Sequence, residues 1–203
     1  MTAAPSNLAP PSAYGYTVAD LHALPDDGRR YELIDGSFIV SPSATINHNT
    51  IARWLANILE DSSPPGYVVG TDQSTSIDDH NEPRPDVVVT TPQNLSRTPF
   101  PISDALLVVE VVSPTSALRD TETKRALYAR AGVPAYWIVV PEQDKPTLAL
   151  AELVLDGDRR QYRYVTHYTT EVFTTRQPWP VTVDLPRLTE RRAVIMRQAA
   201  GER

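Results

Sequence analysis

The chain has 203 residues, a net charge of -6 at pH 7 and no cysteine. This length suits one domain with a sizeable core. The lack of cysteine excludes disulfides, thiolate metal sites and cysteine nucleophiles, and it fits a cytoplasmic protein. The acidic balance argues against a strongly basic nucleic-acid-binding protein but leaves room for an enzyme with a local basic groove. The sequence shows neither a membrane-spanning apolar run nor a signal-peptide pattern.

Composition marks the two ends of the chain. Residues 1–13 are rich in alanine, proline and serine and are predicted to be a disordered arm. Residues 14–190 are predicted to form a single domain, followed by a C-terminal tail at 191–203 that carries several arginines and has helical character. Thr17 begins a capping box, which predicts a short helix that ends before Pro25.

A β-hairpin is predicted over residues 31–40. Asp35-Gly36 separates two alternating apolar segments, and this dipeptide is the strongest short signal for a hairpin turn. Glu32 lies in the first strand of the hairpin. One interpretation makes it a solvated strand residue, and the other places it with the acids that follow later in the chain.

An amphipathic helix is predicted over residues 47–59, where apolar side chains recur at helical spacing. Asn47 is the expected N-cap. His48 lies in the first turn, on the side of the helix that faces the core. It is either a capping or packing residue, or a functional residue that contacts a phosphate or a metal-bound water.

The rest of the chain predicts strands and one further helix. The predicted strands cover 67–77, 86–91, 105–112, 135–140, 148–155 and 161–166. The helix covers 121–131, with Asp120 as its N-cap and Gly132 as its stop signal. A strand–helix–strand step of this kind is a right-handed crossover by default. The predicted fold class is therefore α/β, a central mixed β-sheet flanked by helices, with an extra hairpin near each end.

Two of the predicted strands carry an acid in or beside a run of β-branched residues. Asp86 precedes the first run and Glu110 lies within the second. In one interpretation each acid marks a strand end, and Asp86 pairs with Arg84. In the other, adjacent strands bring the two carboxylates together at one edge of the sheet. Because unpaired buried charges are costly, a positive group would then be needed between them, and a hard divalent cation is the simplest candidate.

The motifs around these acids resemble those of a nuclease superfamily. Arg84-Pro85-Asp86, followed by Val109-Glu110-Val111 in a later strand, resembles the PD-(D/E)xK pattern. More closely, the chain resembles the Uma-type family of restriction endonucleases over most of its length, from Thr17 to Val165. The matching segments are 31–36, 41–43 with His48, 84–86, 109–114, Lys124 and 128–137. Their order and spacing are more specific than any single segment.

The resemblance implies a restriction-endonuclease-like fold and a magnesium-dependent endonuclease that hydrolyses phosphodiester bonds of DNA, with manganese as a substitute ion. It implies that Asp86, Glu110 and the backbone carbonyl of Val111 are metal ligands and that Glu32 supports the site. One or two metal ions suit these ligands equally. A homodimer is implied only by analogy with related folds.

The superfamily pattern has a lysine two residues after the glutamate, where this chain has Val112. Lys124 is the expected substitute, because it lies early in the next helix and helical side chains lean toward the N-terminus. The alternatives are that Lys124 reaches past the core into water or pairs with Asp120. His48 is expected at the mouth of the same site.

Three functions are compatible with the sequence. The favoured one is a metal-dependent DNA endonuclease or nicking enzyme. The others are a catalytically silent module that binds nucleic acid or a partner protein, and a metal-dependent hydrolase of small phosphoesters. A DNA-binding groove would have to be local, and its candidate basic residues are Arg53, Arg84, Arg119, Lys124 and Arg125.

Overall fold

A six-stranded β-sheet forms the centre of the protein, as seen in a computed structural model that describes residues 13–41 and 44–201. The predicted N-terminal arm therefore lies almost wholly outside the described residues. Pro42 and Ser43 of the family-like segment also lie outside them. Within the described ranges, no helix combines the length and the apolar character required to cross a membrane.

The strands are numbered in chain order: β1 (Arg30–Ile34), β2 (Ser37–Ser41), β3 (Val68–Thr71), β4 (Thr75–Ser76), β5 (Val87–Thr90), β6 (Phe100–Pro101), β7 (Leu107–Val111), β8 (Ala135–Pro141), β9 (Leu148–Asp156), β10 (Gln161–Thr169), β11 (Val172–Thr175) and β12 (Val181–Asp184). The α-helices are α1 (Val18–His22), α2 (Ile46–Ser62), α3 (Lys124–Ala131) and α4 (Leu185–Ala199). A π-helical turn (Arg119–Thr123) runs directly into α3, and short 3-10 turns cover Pro92–Asn94 and Ile102–Asp104.

The central sheet has the order β10-β9-β8-β7-β5-β3. Strands β7 and β8 are parallel and are joined through α3, whereas all other neighbours are antiparallel. Helices α2 and α4 contribute to the core on one face, and α3 contributes to the core on the other. The predicted α/β class and the central mixed sheet flanked by helices are therefore confirmed.

Strand β7 is buried on both faces, which explains its nearly continuous apolar sequence. Alternation places Leu107, Val109 and Val111 in the core shared with α2. Val108 belongs to the opposite core, on the side of α3. Glu110 follows the same alternation and therefore faces α3, where it is 2% exposed.

The β1–β2 hairpin and the second hairpin, β9–β10, form as predicted. The capping box of Thr17 and the left-handed stop at Gly132 are also confirmed. The hairpin of β11 and β12 was not predicted; it packs against the α2 side of the sheet. The predicted boundary between domain and tail at 190/191 falls inside α4, where Arg192 is buried and donates to three backbone carbonyls.

Three local predictions are wrong. The strand predicted over 67–77 is broken, because Asp72 adopts a left-handed conformation (φ 52°) between β3 and β4. The N-cap of α2 is not Asn47 but Thr45, whose hydroxyl accepts the backbone N–H of His48. Asp120 does not cap a helix, since it lies inside the π turn with its own N–H bonded to the carbonyl of Ser116.

The β1–β2 hairpin is outside the central sheet and is held by a neighbouring loop. Leu33 exchanges two backbone hydrogen bonds with Glu82, and the N–H of Gly36 donates to the carbonyl of His80. The backbone carbonyl of Gly36 also accepts the N–H of Tyr16. These bonds fix the hairpin, and with it Glu32, against the segment that leads into β5.

Gly36 provides a test of this attachment. Its φ is 68°, and a Cβ atom added there would lie 2.6 Å from the backbone oxygen of Tyr14. We expect Gly36→Ala to lower the free energy of unfolding by about 3 kcal/mol, because left-handed strain and a backbone clash add together. Chemical denaturation would measure the loss.

Gly28→Ala is the matched control. Gly28 has a similar φ of 74°, but an added Cβ would meet nothing within 4 Å. Only the conformational strain then remains, and we expect a loss of about 1 kcal/mol. Equal losses for the two variants would contradict the close approach at Gly36.

Candidate active site

A cavity of about 1320 Å³ opens where β5 begins and β7 ends. The hairpin, the first turns of α2 and the π turn before α3 form its walls. All five side chains predicted as site residues line it: Glu32, His48, Asp86, Glu110 and Lys124. The structure thus brings together residues from five separate segments of the chain.

Asp86 and Glu110 come from adjacent antiparallel strands. Pairing of Val87 with Val109 places Asp86 beside the end of β7, on the same face as Glu110. The Oδ2 atom of Asp86 accepts the backbone N–H of Val111 at 2.7 Å. The two acids therefore meet at one edge of the sheet, and the interpretation that pairs Asp86 with Arg84 is not what the structure shows, because Arg84 binds Asp72.

Lys124 reaches the site from the helix that follows β7. Its ammonium lies 2.8 Å from Oε1 of Glu32 and 3.0 Å from Oε1 of Glu110. The lysine is only 2% exposed, so the alternative in which it reaches into water is wrong. Pairing with Asp120 alone is wrong as well, since its contacts are the two glutamates. Val112, at the superfamily's lysine position, packs in the core on the α3 side.

Glu32 connects the hairpin to the rest of the site. Its Oε1 atom accepts the backbone N–H of Arg84 at 2.8 Å and also contacts the ammonium of Lys124. The residue is 5% exposed, which excludes the solvated-strand interpretation. Glu32 therefore fixes both the lysine and the segment that carries Asp86.

His48 contacts the opposite side of the site. Its Nε2 atom is 2.8 Å from the carbonyl oxygen of Val111 and 3.3 Å from Oδ2 of Asp86. Burial disfavours the charged ring, but the Asp86 carboxylate and the Val111 carbonyl outweigh it, so the pKa of His48 is raised above its usual value. Val111 is thus engaged through both backbone groups, its N–H by Asp86 and its carbonyl by His48.

The five predicted side chains include three acids and one lysine. Burial is the largest cause that raises the pKa of Glu110 well above its usual value; Lys124 opposes the rise, and Asp86 adds to it. For Lys124 burial acts in the opposite sense, but the carboxylates of Glu110 and Glu32 outweigh it and raise its pKa. The lysine stays protonated, and the raised pKa of Glu110 favours a proton or a further cation beside it.

The sequence did not indicate Asp120 as a site residue. It is 2% exposed, lines the cavity and lies 3.8 Å from the Nε atom of Arg119. Burial raises the pKa of its carboxyl, while Lys124 opposes the shift. The four-residue spacing to Lys124 was the available signal, but it indicated only an alternative partner for the lysine, and Asp120 itself was predicted to be an N-cap. Tyr128 was also missed; its hydroxyl donates to Oε1 of Glu110 at 2.8 Å.

A family model and a solved structure match this chain. The model of the Uma2 family, described as "Putative restriction endonuclease", matches residues 18–185. The chain belongs to the Uma2 family. The solved structure is described as a "putative nuclease belonging to DUF820 from Anabaena variabilis ATCC 29413"; it is 15% identical, with a TM-score of 0.62 over 86% of this chain and 97% of that one. At this identity the likeness shows a shared fold. No curated protein matches the chain.

The oxygen atoms of this Uma2-family site suit a hard divalent cation. Asp86, Glu110 and the carbonyl of Val111 offer oxygen donors only, the type that magnesium prefers. Hydrogen bonds from described residues reach Oδ2 of Asp86 and Oε1 of Glu110 and leave the second oxygen of each carboxylate available. Residues 13–41 and 44–201 contain no group of three or more acidic or histidine side chains placed to hold a metal. Magnesium retains several waters, so two carboxylates and a carbonyl are sufficient.

The buried lysine generates a stability prediction for the Uma2 protein. Lys124→Met leaves two buried glutamates without their cation, and we expect a loss of about 3–5 kcal/mol at pH 8. The loss should shrink at pH 5. A carboxyl whose pKa is raised by folding contributes stability below its unfolded value, and that stability is lost as the pH rises through the raised value. Urea unfolding at both pH values measures the difference.

The control is the double variant Lys124→Met with Glu110→Gln. Removing the charge of Glu110 should restore part of the stability at pH 8, since the two residues are in direct contact. Equal losses at pH 5 and pH 8, with no recovery in the double variant, would show that the three side chains are not electrostatically coupled.

Proposed function

We propose that the protein is a metal-dependent endonuclease that hydrolyses phosphodiester bonds of DNA, with magnesium as its ion and manganese as a substitute. The observation that carries this proposal is the convergence of Asp86, Glu110 and Lys124 at one end of a cavity. Two carboxylates from neighbouring strands beside a buried ammonium are the side chains that metal-assisted phosphodiester hydrolysis requires.

Asp86, Glu110 and the carbonyl of Val111 would hold the ion. When bound, a divalent ion polarises a phosphate oxygen and lowers the pKa of its water. His48 fixes two of these ligands, since it contacts the carbonyl of Val111 and the carboxylate of Asp86. Tyr128 fixes the third through its hydrogen bond to Glu110.

Lys124 supplies the positive charge that the superfamily takes from the strand. Its Nζ atom is protonated and fixed between Glu32 and Glu110, so it can donate to the attacking water or to the charge that develops on the phosphate oxygens. Because the helix and the hairpin position it beforehand, little reorganisation is needed during the reaction. The lysine thus has the same task as one placed at position 112.

One catalytic site per chain can cut one DNA strand at a time. We expect a single protomer to nick one strand, so that cleavage of both strands of a duplex needs two copies of the chain. The appearance of nicked before linear plasmid would agree with this expectation.

Plasmid cleavage tests the proposal. Wild-type protein with magnesium or manganese should convert supercoiled DNA to nicked and linear forms, and Asp86→Asn or Glu110→Gln should slow this at least about a hundredfold. Glu190→Gln is the control, because Glu190 is exposed on α4. Single-stranded DNA, RNA and a bis-aryl phosphate ester, assayed in parallel, define the substrate class. A wild type that cleaves none of them would indicate a catalytically silent module.

His48 provides a separate prediction about the metal. His48→Ala removes a group that orients two ligands, and such changes lower metal affinity about 10- to 100-fold. We therefore expect the variant to need a correspondingly higher magnesium concentration for half-maximal cleavage. An unchanged magnesium requirement together with a lower melting temperature would return His48 to a packing role.

A further inference from the structure

The π turn before α3 directs two cations into the same cavity. In this turn the backbone N–H of Lys124 donates to the carbonyl of Arg119, a bond across five residues rather than the four of an α-helix. The wider turn places Arg119 one full turn before Lys124, on the same side. Both residues line the cavity, with Asp120 between them in sequence.

The two cations differ in what they bind. The ammonium of Lys124 contacts two glutamates, which take two of its three N–H donors. The Nε atom of Arg119 is buried, and no described residue accepts a hydrogen bond from it. Its nearest carboxylate oxygen, Oδ1 of Asp120, is 3.8 Å away, which is beyond hydrogen-bonding distance. The charge of Asp120 holds the guanidinium of Arg119, but the Nε–H donor makes no hydrogen bond.

The other arginines of the cavity do not share this property. Arg30 and Arg84 both form ion pairs with Asp72. Arg53 is exposed on α2. Among the described residues that line the cavity, Arg119 is therefore the arginine with a buried donor that makes no hydrogen bond.

We propose that Arg119 binds a substrate phosphate, donating hydrogen bonds from its guanidinium to the non-bridging oxygens of a phosphodiester. This inference rests on the proposed function and identifies a substrate contact within that site. A buried donor without a partner is costly, and a phosphate would satisfy it. The planar guanidinium matches phosphate oxygens better than an ammonium does, so an arginine is suited to this contact. Asp120 orients the guanidinium from the protein side.

Binding of a short fluorescein-labelled DNA duplex, measured by anisotropy in EDTA, tests the inference without cleavage. Loss of one phosphate contact should weaken binding of Arg119→Gln about tenfold at about 0.1 M salt. The slope of log affinity against log salt should also fall by about one. Arg119→Lys should retain the slope and lose part of the affinity, because it keeps the charge without the fork.

Arg187→Gln is the matched control. Arg187 is exposed on α4 and does not line the cavity. Its replacement should leave both the affinity and the salt slope within about twofold of wild type. The melting temperature of Arg187→Gln should equal that of wild type. Arg119→Lys keeps a positive charge beside the buried Asp120 and should also melt close to wild type, so its loss of affinity can be separated from a loss of folding.

The outcomes for Arg119 and for the nuclease activity are distinguishable. An Arg119→Gln protein with wild-type affinity and slope overturns the phosphate contact, as does a wild type that does not bind the duplex. A wild type that binds through Arg119 but does not cleave with magnesium or manganese supports the contact and overturns the proposed function.

Discussion

The structure of the site depends on one buried ammonium group held between two glutamates. Lys124 belongs to α3, Glu110 to the central sheet and Glu32 to a hairpin that lies outside that sheet. Each acid alone would be an unpaired buried charge, and the lysine alone would be one as well. Their association therefore fixes the positions of β7 and α3 relative to the hairpin, which is distant from them in sequence, and these elements enclose the cavity.

Much of the fold was predictable because its signals are local. Short segments are enough to predict the valine-rich strands, the Asp35-Gly36 turn and the helix stop at Gly132. Capping was less predictable: Thr45 and Asn47 are both good N-cap residues, and only the path of the chain into α2 selects Thr45. The hairpin of β11 and β12 lacks a turn dipeptide as strong as Asp-Gly, so nothing in its sequence distinguishes it from a loop.

The candidate residues were predictable to a greater extent than their contacts. Asp86 and Glu110 were recognised by their type and position in apolar strands, and Lys124 through the resemblance to the nuclease superfamily; all three line one cavity. Asp120 was assigned to a helix cap because an α-helical turn was assumed. A π turn cannot be inferred from helix propensities. Within this turn the carboxylate of Asp120 is buried instead of capping the end of a helix.

One fold supports many activities, so the chemistry is decided by the residues of the site. The site adds a specific feature: the position of the missing lysine is occupied by an apolar core residue, Val112. Restoring a lysine there would place a second ammonium among side chains that pack as hydrocarbon. The two arrangements of the charge are therefore alternatives, and a chain cannot adopt both at once without losing part of its core.

The π turn also has a consequence for insertions and deletions. A π turn is equivalent to one extra residue in an α-helix, so it offsets the helix before it from the helix after it by about 100°. Lys124 takes its direction from the packing of α3, whereas Arg119 and Asp120 take theirs from the segment that leaves β7. Loss of a single residue from this turn would rotate the arginine and the aspartate out of the cavity while the lysine stayed in place. The number of residues between β7 and α3 is thus as much a part of the site as their identities.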